Sequence, residues 1–150
     1  MARMHSRKRG KSGSAKPKDS DLSWVRYSPE EIEKLIIKFG EKGLQSADIG
    51  RMLRDTYGIP DVKRLVGKKI SQILKESNNY TELPEDLFNL LKKAVKIKKH
   101  MESNKKDLHS KRGLKLTESK IRRLAKYYKA KGHIEQKWTY NIEKAKIIVE

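Results

Sequence analysis

The sequence contains no cysteine, which excludes disulfide staples and thiolate metal sites. It has no stretch near the roughly 18 consecutive apolar residues a membrane span requires. The basic start, MARMHSRKRGKSGSAKPK, is followed by no apolar run and so does not read as a secretory signal. Neither G-x-x-x-x-G-K-S/T nor G-x-G-x-x-G occurs, so no nucleotide-hydrolysis site is expected. Acids are scarce as well: 19 Asp and Glu face 37 Lys and Arg, a formal net charge of +18. Charge of that size repels itself in a compact chain unless an anionic partner offsets it. Nucleic acid is the commonest such partner, and an anionic membrane is the alternative.

What is present is unevenly spread. Residues 1–20 hold seven Lys/Arg and one acid, residues 21–77 eleven and nine, and residues 78–150 nineteen and nine. A basic tail and a basic C-terminal half thus flank a nearly balanced middle. The 150 residues suffice for one domain or two small ones. Residues 1–20 carry almost nothing apolar and are expected to be disordered alone. They read either as a solubilising terminus or as an arm that orders along a phosphate backbone, with Arg3, His5, Arg7, Lys8 and Arg9 as candidate contacts.

Residues 21–77 read as a module of three short helices. Ser28-Pro29-Glu30-Glu31 is a start signal, because Ser caps, Pro suits the first turn and the acids suit the helix dipole. Ile32, Leu35, Ile36 and Phe39 then recur at helical spacing until Gly40 or Gly43. Ser46 is placed to cap a second helix carrying Ile49, Met52 and Leu53 and stopped at Gly58. A third carries Leu65, Val66, Ile70, Ile73 and Leu74, with Gly67 delaying its start. Short helices with tight Gly turns resemble a helix-turn-helix, although any small helical core looks the same. The near-neutral charge favours a packing module with one basic edge: Lys63, Arg64, Lys68 and Lys69.

Residues 78–131 read as a helical hairpin. Leu83-Pro84-Glu85-Asp86 starts a helix with Leu87, Leu90, Leu91, Ala94, Val95 and Met101 on one face. Lysines 92, 93, 96, 98 and 99 crowd the others. After a break at residues 103–107, a second long helix carries Leu114, Ile121, Leu124, Ala125 and Tyr128, with a basic remainder. Two amphipathic helices with a short connection pack antiparallel. Residues 132–150 form a C-terminal tail with Trp138, Tyr140 and an apolar end, Ile147-Ile148-Val149.

His100, Asp107, His109 and Ser110 gather at the hairpin tip. A metal site would need three or four ligands, and Lys105, Lys106, Lys111 and Arg112 set up a field that opposes a cation. A Ser-His-Asp triad would need a shielded pocket and an oxyanion hole, which nothing in the sequence suggests. RNA recognition needs short polar donors and acceptors with cations nearby, and this fits best. The plainer reading is that Asp107 and Ser110 cap the second helix, and both readings can hold together. Tyr128 follows the apolar face, whereas Tyr127 falls nearer the basic face and is placed to stack or hydrogen bond on RNA.

The segment HMESNKKDLHSKRGLKLTESKIRRLAKYYK resembles the universal small-subunit ribosomal protein S-fifteen family, called S-thirteen in the eukaryotic ribosome. The similarity to bacterial members covers roughly residues 78–131. GLQSADIGRMLRD and LPEDL…LKKAVKIKKH resemble the longer archaeal and eukaryotic members, and the alternation of Ile and Lys looks archaeal. The resemblance implies a primary binder of ribosomal RNA in the platform, or central domain, of the small subunit. His100, Asp107 and Ser110, with His109 beside them, would contact the minor groove of an RNA helix. Tyr127 and Arg123, with Arg122 next to it, would contact a three-way junction. A bridge to the large subunit is also implied. Bacterial members carry a Thr-Gly-Ser turn that touches the junction, and residues 80–84 here read Tyr-Thr-Glu-Leu-Pro, so that contact is either missing or made differently.

The expectation is therefore an all-α chain: a disordered basic tail, a three-helix module and a long antiparallel hairpin. It is not an enzyme, has no cofactor and takes no small-molecule substrate or membrane. Its partners are small-subunit ribosomal RNA and other ribosomal proteins, in cytoplasmic ribosomes. Lys105, Lys106 and Arg112 would supply phosphate contacts. The rival from another class is a DNA-binding regulator using the middle segment, which needs a basic recognition helix and usually a dimer.

Overall fold

The computed structural model describes residues 21–80 and 83–149. The five candidate tail contacts, Arg3 to Arg9, lie outside the described residues. Seven α-helices and no strand occur among the described residues: α1 (Pro29–Glu41), α2 (Ser46–Tyr57), α3 (Val62–Val66), α4 (Ile70–Glu76), α5 (Glu85–Ser103), α6 (Leu108–Ala130) and α7 (Ile142–Val149). The described residues fall into two compact units, 21–80 and 83–149. No described helix is long and apolar enough to cross a membrane.

The N-terminal unit is built on α1, which packs against α2, α3 and α4. Ser28 opens α1 with a reciprocal cap: its hydroxyl accepts from Glu31 N, and the Glu31 carboxylate accepts from Ser28 N. Two orphan amides are satisfied at once. Ile32, Ile36 and Phe39 then join Ile49, Leu53, Ile59, Val62, Ile73 and Leu74 in one core. Of the two glycines expected to end α1, Gly43 performs the turn, at φ +76. Gly40 is buried inside the helix, where a Cβ would meet Leu74 Cδ2 at 2.6 Å. Its role is close approach of the chain around α4.

Three details differ from expectation. The third helix is two helices, because Gly67 takes φ +82 and closes α3 before Lys69 starts α4. The N-cap of α2 is Gln45, whose carbonyl accepts from Ile49 N, so Ser46 lies within the helix. Met52 is 42% exposed, because Ile49 and Leu53, four apart, set the buried face.

In the C-terminal unit α5 packs against both α6 and α7. Its core comprises Leu87, Leu91, Ala94, Ile121, Ile134 and Ala145, with Leu90, Leu124, Tyr128 and Trp138 packed around it. Thr117 is also buried, and its hydroxyl donates to Gly113 O one turn back at 2.9 Å. The C-terminal segment expected as a tail carries α7. Ile142, Ala145 and Val149 turn inward, whereas Ile147 is 80% exposed, so the apolar end does not pack as a block. A Lys146–Glu102 ion pair of 3.1 Å also ties α7 to the last turn of α5. All the buried residues of α5 and α6 lie at or before Ala94 or at or after Thr117. Residues 95–116, the outer half of the hairpin, contain no fully buried side chain, and only Val95 and Leu114 among them pack partly against this core.

Candidate nucleic-acid interface

The connection between α5 and α6 is folded by its own polar groups. Asn104 closes α5, its backbone N donating to His100 O at 2.9 Å, and Asp107 N donates to Asn104 O at 3.2 Å. Asp107 then caps α6. Its Oδ1 accepts from Ser110 N at 2.9 Å, and its Oδ2 accepts from the Ser110 hydroxyl at 2.6 Å. The same Oδ2 lies 3.1 Å from His100 Nε2. These hydrogen bonds, that of the Ser110 hydroxyl foremost, then Ser110 N and His100, hold the Asp107 carboxyl well below the usual carboxylate range. The cluster is thus a fixed anion surrounded by exposed Lys105, Lys106, Lys111 and Arg112.

Asn104 is the member that sequence reasoning missed. Its amide Nδ2 donates to His100 O at 3.1 Å and lies 3.3 Å from His100 Nδ1. An amide NH2 donates, so this contact matches the tautomer in which Nδ1 accepts and Nε2 faces Asp107. The four-residue spacing from His100 was the available signal, since it places Asn104 one turn further along the same face.

The capping expected of Asp107 is present, and it leaves acceptor sites of the cluster unused. A carboxylate has about four acceptor sites, and three are used internally. One lone pair on Oδ1 stays available, as do the acceptor pairs of the Ser110 hydroxyl. Leu108, at 73% exposure, and His109 stand beside them on the first turn of α6. Among the described residues no group of three His, Cys, Asp or Glu is arranged to hold a metal ion.

The remaining candidates divide by helix face. At about 100° per residue, His109, Arg112, Lys120, Arg123 and Tyr127 form one stripe along α6, and all five are exposed. Tyr127 is 54% exposed, its ring held edge-on to Tyr128 with centroids 5.3 Å apart. Arg123 and Tyr127 stand roughly 20 Å along the helix from Ser110 at 1.5 Å per residue, so they lie apart from the tip cluster. Arg122 is not on this stripe. It lies 3.9 Å from Glu118 and lines a hollow of 380 Å³ with Lys126, Lys129, Trp138 and Tyr140. Burial and the nearby Glu118 carboxylate push the Tyr140 hydroxyl up to about 12.

Residues 67–148 match the family described as Ribosomal protein S15, and residues 1–59 match the Ribosomal S13/S15 N-terminal domain. The chain belongs to the ribosomal protein S15 family. It is 51% identical to the small ribosomal subunit protein uS15 of Methanococcus vannielii over 151 residues, covering all of both chains. It is 46% identical to the protein of the same name from Methanocella arvoryzae, covering 99% of each. The match to the S15 family takes in α5, α6 and nearly all of α7, beyond the residues 78–131 that resemble the bacterial members.

Proposed function

We propose that the chain is a structural component of the small ribosomal subunit, acting in cytoplasmic ribosomes by binding ribosomal RNA through its C-terminal hairpin. The supporting observation is the His100–Asp107–Ser110 cluster, a fixed set of short donors and acceptors at the end of a hairpin ringed by cations. Its relatives are named as small-subunit proteins. In A-form RNA the shallow minor groove shows 2′-hydroxyls and base edges. There the guanine N2 amine is the distinguishing donor. The open lone pair of Asp107 suits that amine, and the Ser110 oxygen suits a 2′-hydroxyl. Lys105, Lys106 and Arg112 contact flanking phosphates and supply affinity through counterion release.

Further along the stripe, Arg123 and Tyr127 take a second RNA segment. Two contact regions on one straight helix suit a three-way junction of the central domain, where two RNA helices diverge. Neighbouring ribosomal proteins and a bridge to the large subunit complete the reading. The helix-turn-helix alternative gains nothing, since α3 and α4 have five and seven residues, short for a recognition helix.

The test is a filter-binding titration against a junction-containing small-subunit RNA and a junction-disrupted RNA of equal length, at two salt concentrations. A preference that survives the higher salt, and that Asp107→Ala removes, supports the reading. Equal binding to both RNAs that salt erases would overturn it.

A further inference from the structure

The N-terminal unit carries an aromatic feature that core packing does not explain. Phe39 is buried, Tyr57 is half-buried, and Tyr27 and Trp24 are 39% and 58% exposed. The rings of Phe39 and Tyr57 meet edge-to-face at 6.0 Å, and those of Tyr57 and Tyr27 at 5.8 Å. Core contacts therefore hold an aromatic series that runs out to solvent. The Trp24 indole N–H donates to Asp21 O at 3.2 Å, which satisfies its polar edge and fixes the ring. A Cβ placed on Gly58 would lie 3.5 Å from Trp24 Cζ3, so the indole rests against that turn. Trp24, Arg26, Tyr27, Tyr57 and Gly58 line a hollow of 260 Å³.

The same turn borders a second depression. Ile59 and Pro60, next along the chain, line a groove of 520 Å³ that also takes Arg51, Arg54, Lys63 and Lys69. Asp48 and Asp55 pair with the two arginines at 2.7 Å each, and the Asp61 carboxylate caps Lys63 N at 3.1 Å. The lysine ammonium groups are exposed at its rim.

We infer that this face is a second RNA contact, which stacks one unpaired nucleobase in the Trp24–Tyr27–Tyr57 hollow and carries the adjoining phosphates along the Arg54–Lys63–Lys69 groove. Aromatic faces beside a cationic track are the means by which proteins hold single-stranded nucleic acid, since every base offers a π-face. Paired bases hide those faces, and the hollow is too small for a helix, so the occupant is unpaired. A membrane fits less well, because the aliphatic side chains beside the aromatics, Val25 and Ile59, are half-buried and buried and offer no exposed apolar face to insert. The site is on a different unit from the hairpin tip and does not depend on the tip's assignment.

The two tryptophans of the chain, Trp24 and Trp138, lie in different units, which makes a direct test available. In a full-length Trp138→Phe protein, Trp24 alone emits. A single-stranded oligoadenylate of about ten nucleotides, within the usual site sizes, is expected to quench and blue-shift that emission, whereas inorganic polyphosphate leaves it unchanged. Tyr27→Ala should weaken this binding about tenfold, the size of one lost stack. In unedited protein, filter binding of the same oligonucleotide should show the same loss for Tyr27→Ala, with binding to the hairpin's junction RNA retained. Equal quenching by polyphosphate would reduce the face to a phosphate contact and overturn the inference. So would no response to RNA, or a response only to neighbouring ribosomal proteins.

Discussion

The Tyr128 hydroxyl lies 2.7 and 2.6 Å from the two carboxylate oxygens of Asp86, joining the last turns of α6 to the first turn of α5. Asp86 also accepts from Leu87 N at 2.8 Å, so one carboxylate serves both a helix start and a tertiary clamp. Tyr128→Phe keeps the ring and removes the clamp. It should destabilise the C-terminal unit by about 1 kcal/mol, the low end for a hydrogen bond to a charged group because the pair is partly solvated. Thermal unfolding followed by circular dichroism measures this, and an unchanged midpoint would mean that water replaces the bond without loss.

Acid should act on the hairpin tip through Asp107. Its folded pKa is depressed from 3.8, with the Ser110 hydroxyl the largest cause. A depressed carboxylate gives stability that is complete above its unfolded value and is lost as pH falls toward the folded one. Asp107→Asn should therefore lower the melting temperature by a constant amount above about pH 5. The gap should close as pH drops below the unfolded value. A gap that widens on acidification would contradict the assignment.

Two glycines should respond oppositely to alanine. At Gly40 the added methyl meets Leu74 Cδ2 at 2.6 Å and Asn79 Cβ at 3.3 Å, and Leu74 is itself fully buried. Overpacking of about 1–3 kcal/mol should outweigh the helix-propensity gain of about 1 kcal/mol, and the N-terminal unit should melt earlier.

At Gly113, inside α6, no atom lies within 4 Å of the added Cβ. Gly113→Ala should raise stability by about 0.5–1 kcal/mol. On the proposed RNA contact it should also weaken binding to the junction RNA, because the glycine follows Arg112 beside the exposed stripe of α6 and leaves room for a backbone to approach. Unchanged RNA affinity would remove that role.

Cations and short polar groups should separate by salt. Lys105→Gln should weaken binding to any RNA and reduce the salt slope by about one unit. Ser110→Ala should leave the slope unchanged and narrow the preference for the intact junction. Binding isotherms at several salt concentrations distinguish the two.

Much of this was legible in sequence because local chemistry decides it. Ser28 with Pro29 and the acids fixed a helix start, and the His100-to-Ser110 spacing placed the cluster at a helix junction. Other features depend on tertiary contact. The eight residues of α7 carry apolar side chains on more than one side. Only packing on α5 selects Ala145 over Ile147, and so short a helix has little stability of its own. Thr117 reads as polar until its hydroxyl bonds back to Gly113. Asn104 is an ordinary turn residue until its amide reaches the His100 ring.

The bare outer half of the hairpin makes it a cantilever. Residues 95–116 hold no fully buried side chain; Val95 and Leu114 pack partly on the core and Lys146 pairs with Glu102 at the end of α5, so the beam is clamped at its base and held only lightly toward its tip. Its helices hold their shape through backbone bonds and the tip's own polar lacing, with little interior to damp bending. Amide exchange should therefore be fast there and slow near Leu91 and Ile121. Docking would supply the missing wall, so the stiffness of the beam becomes a property of the complex. A correct site, touching the tip and the Tyr127 region together, would clamp both ends, whereas a partial match would leave one end swinging.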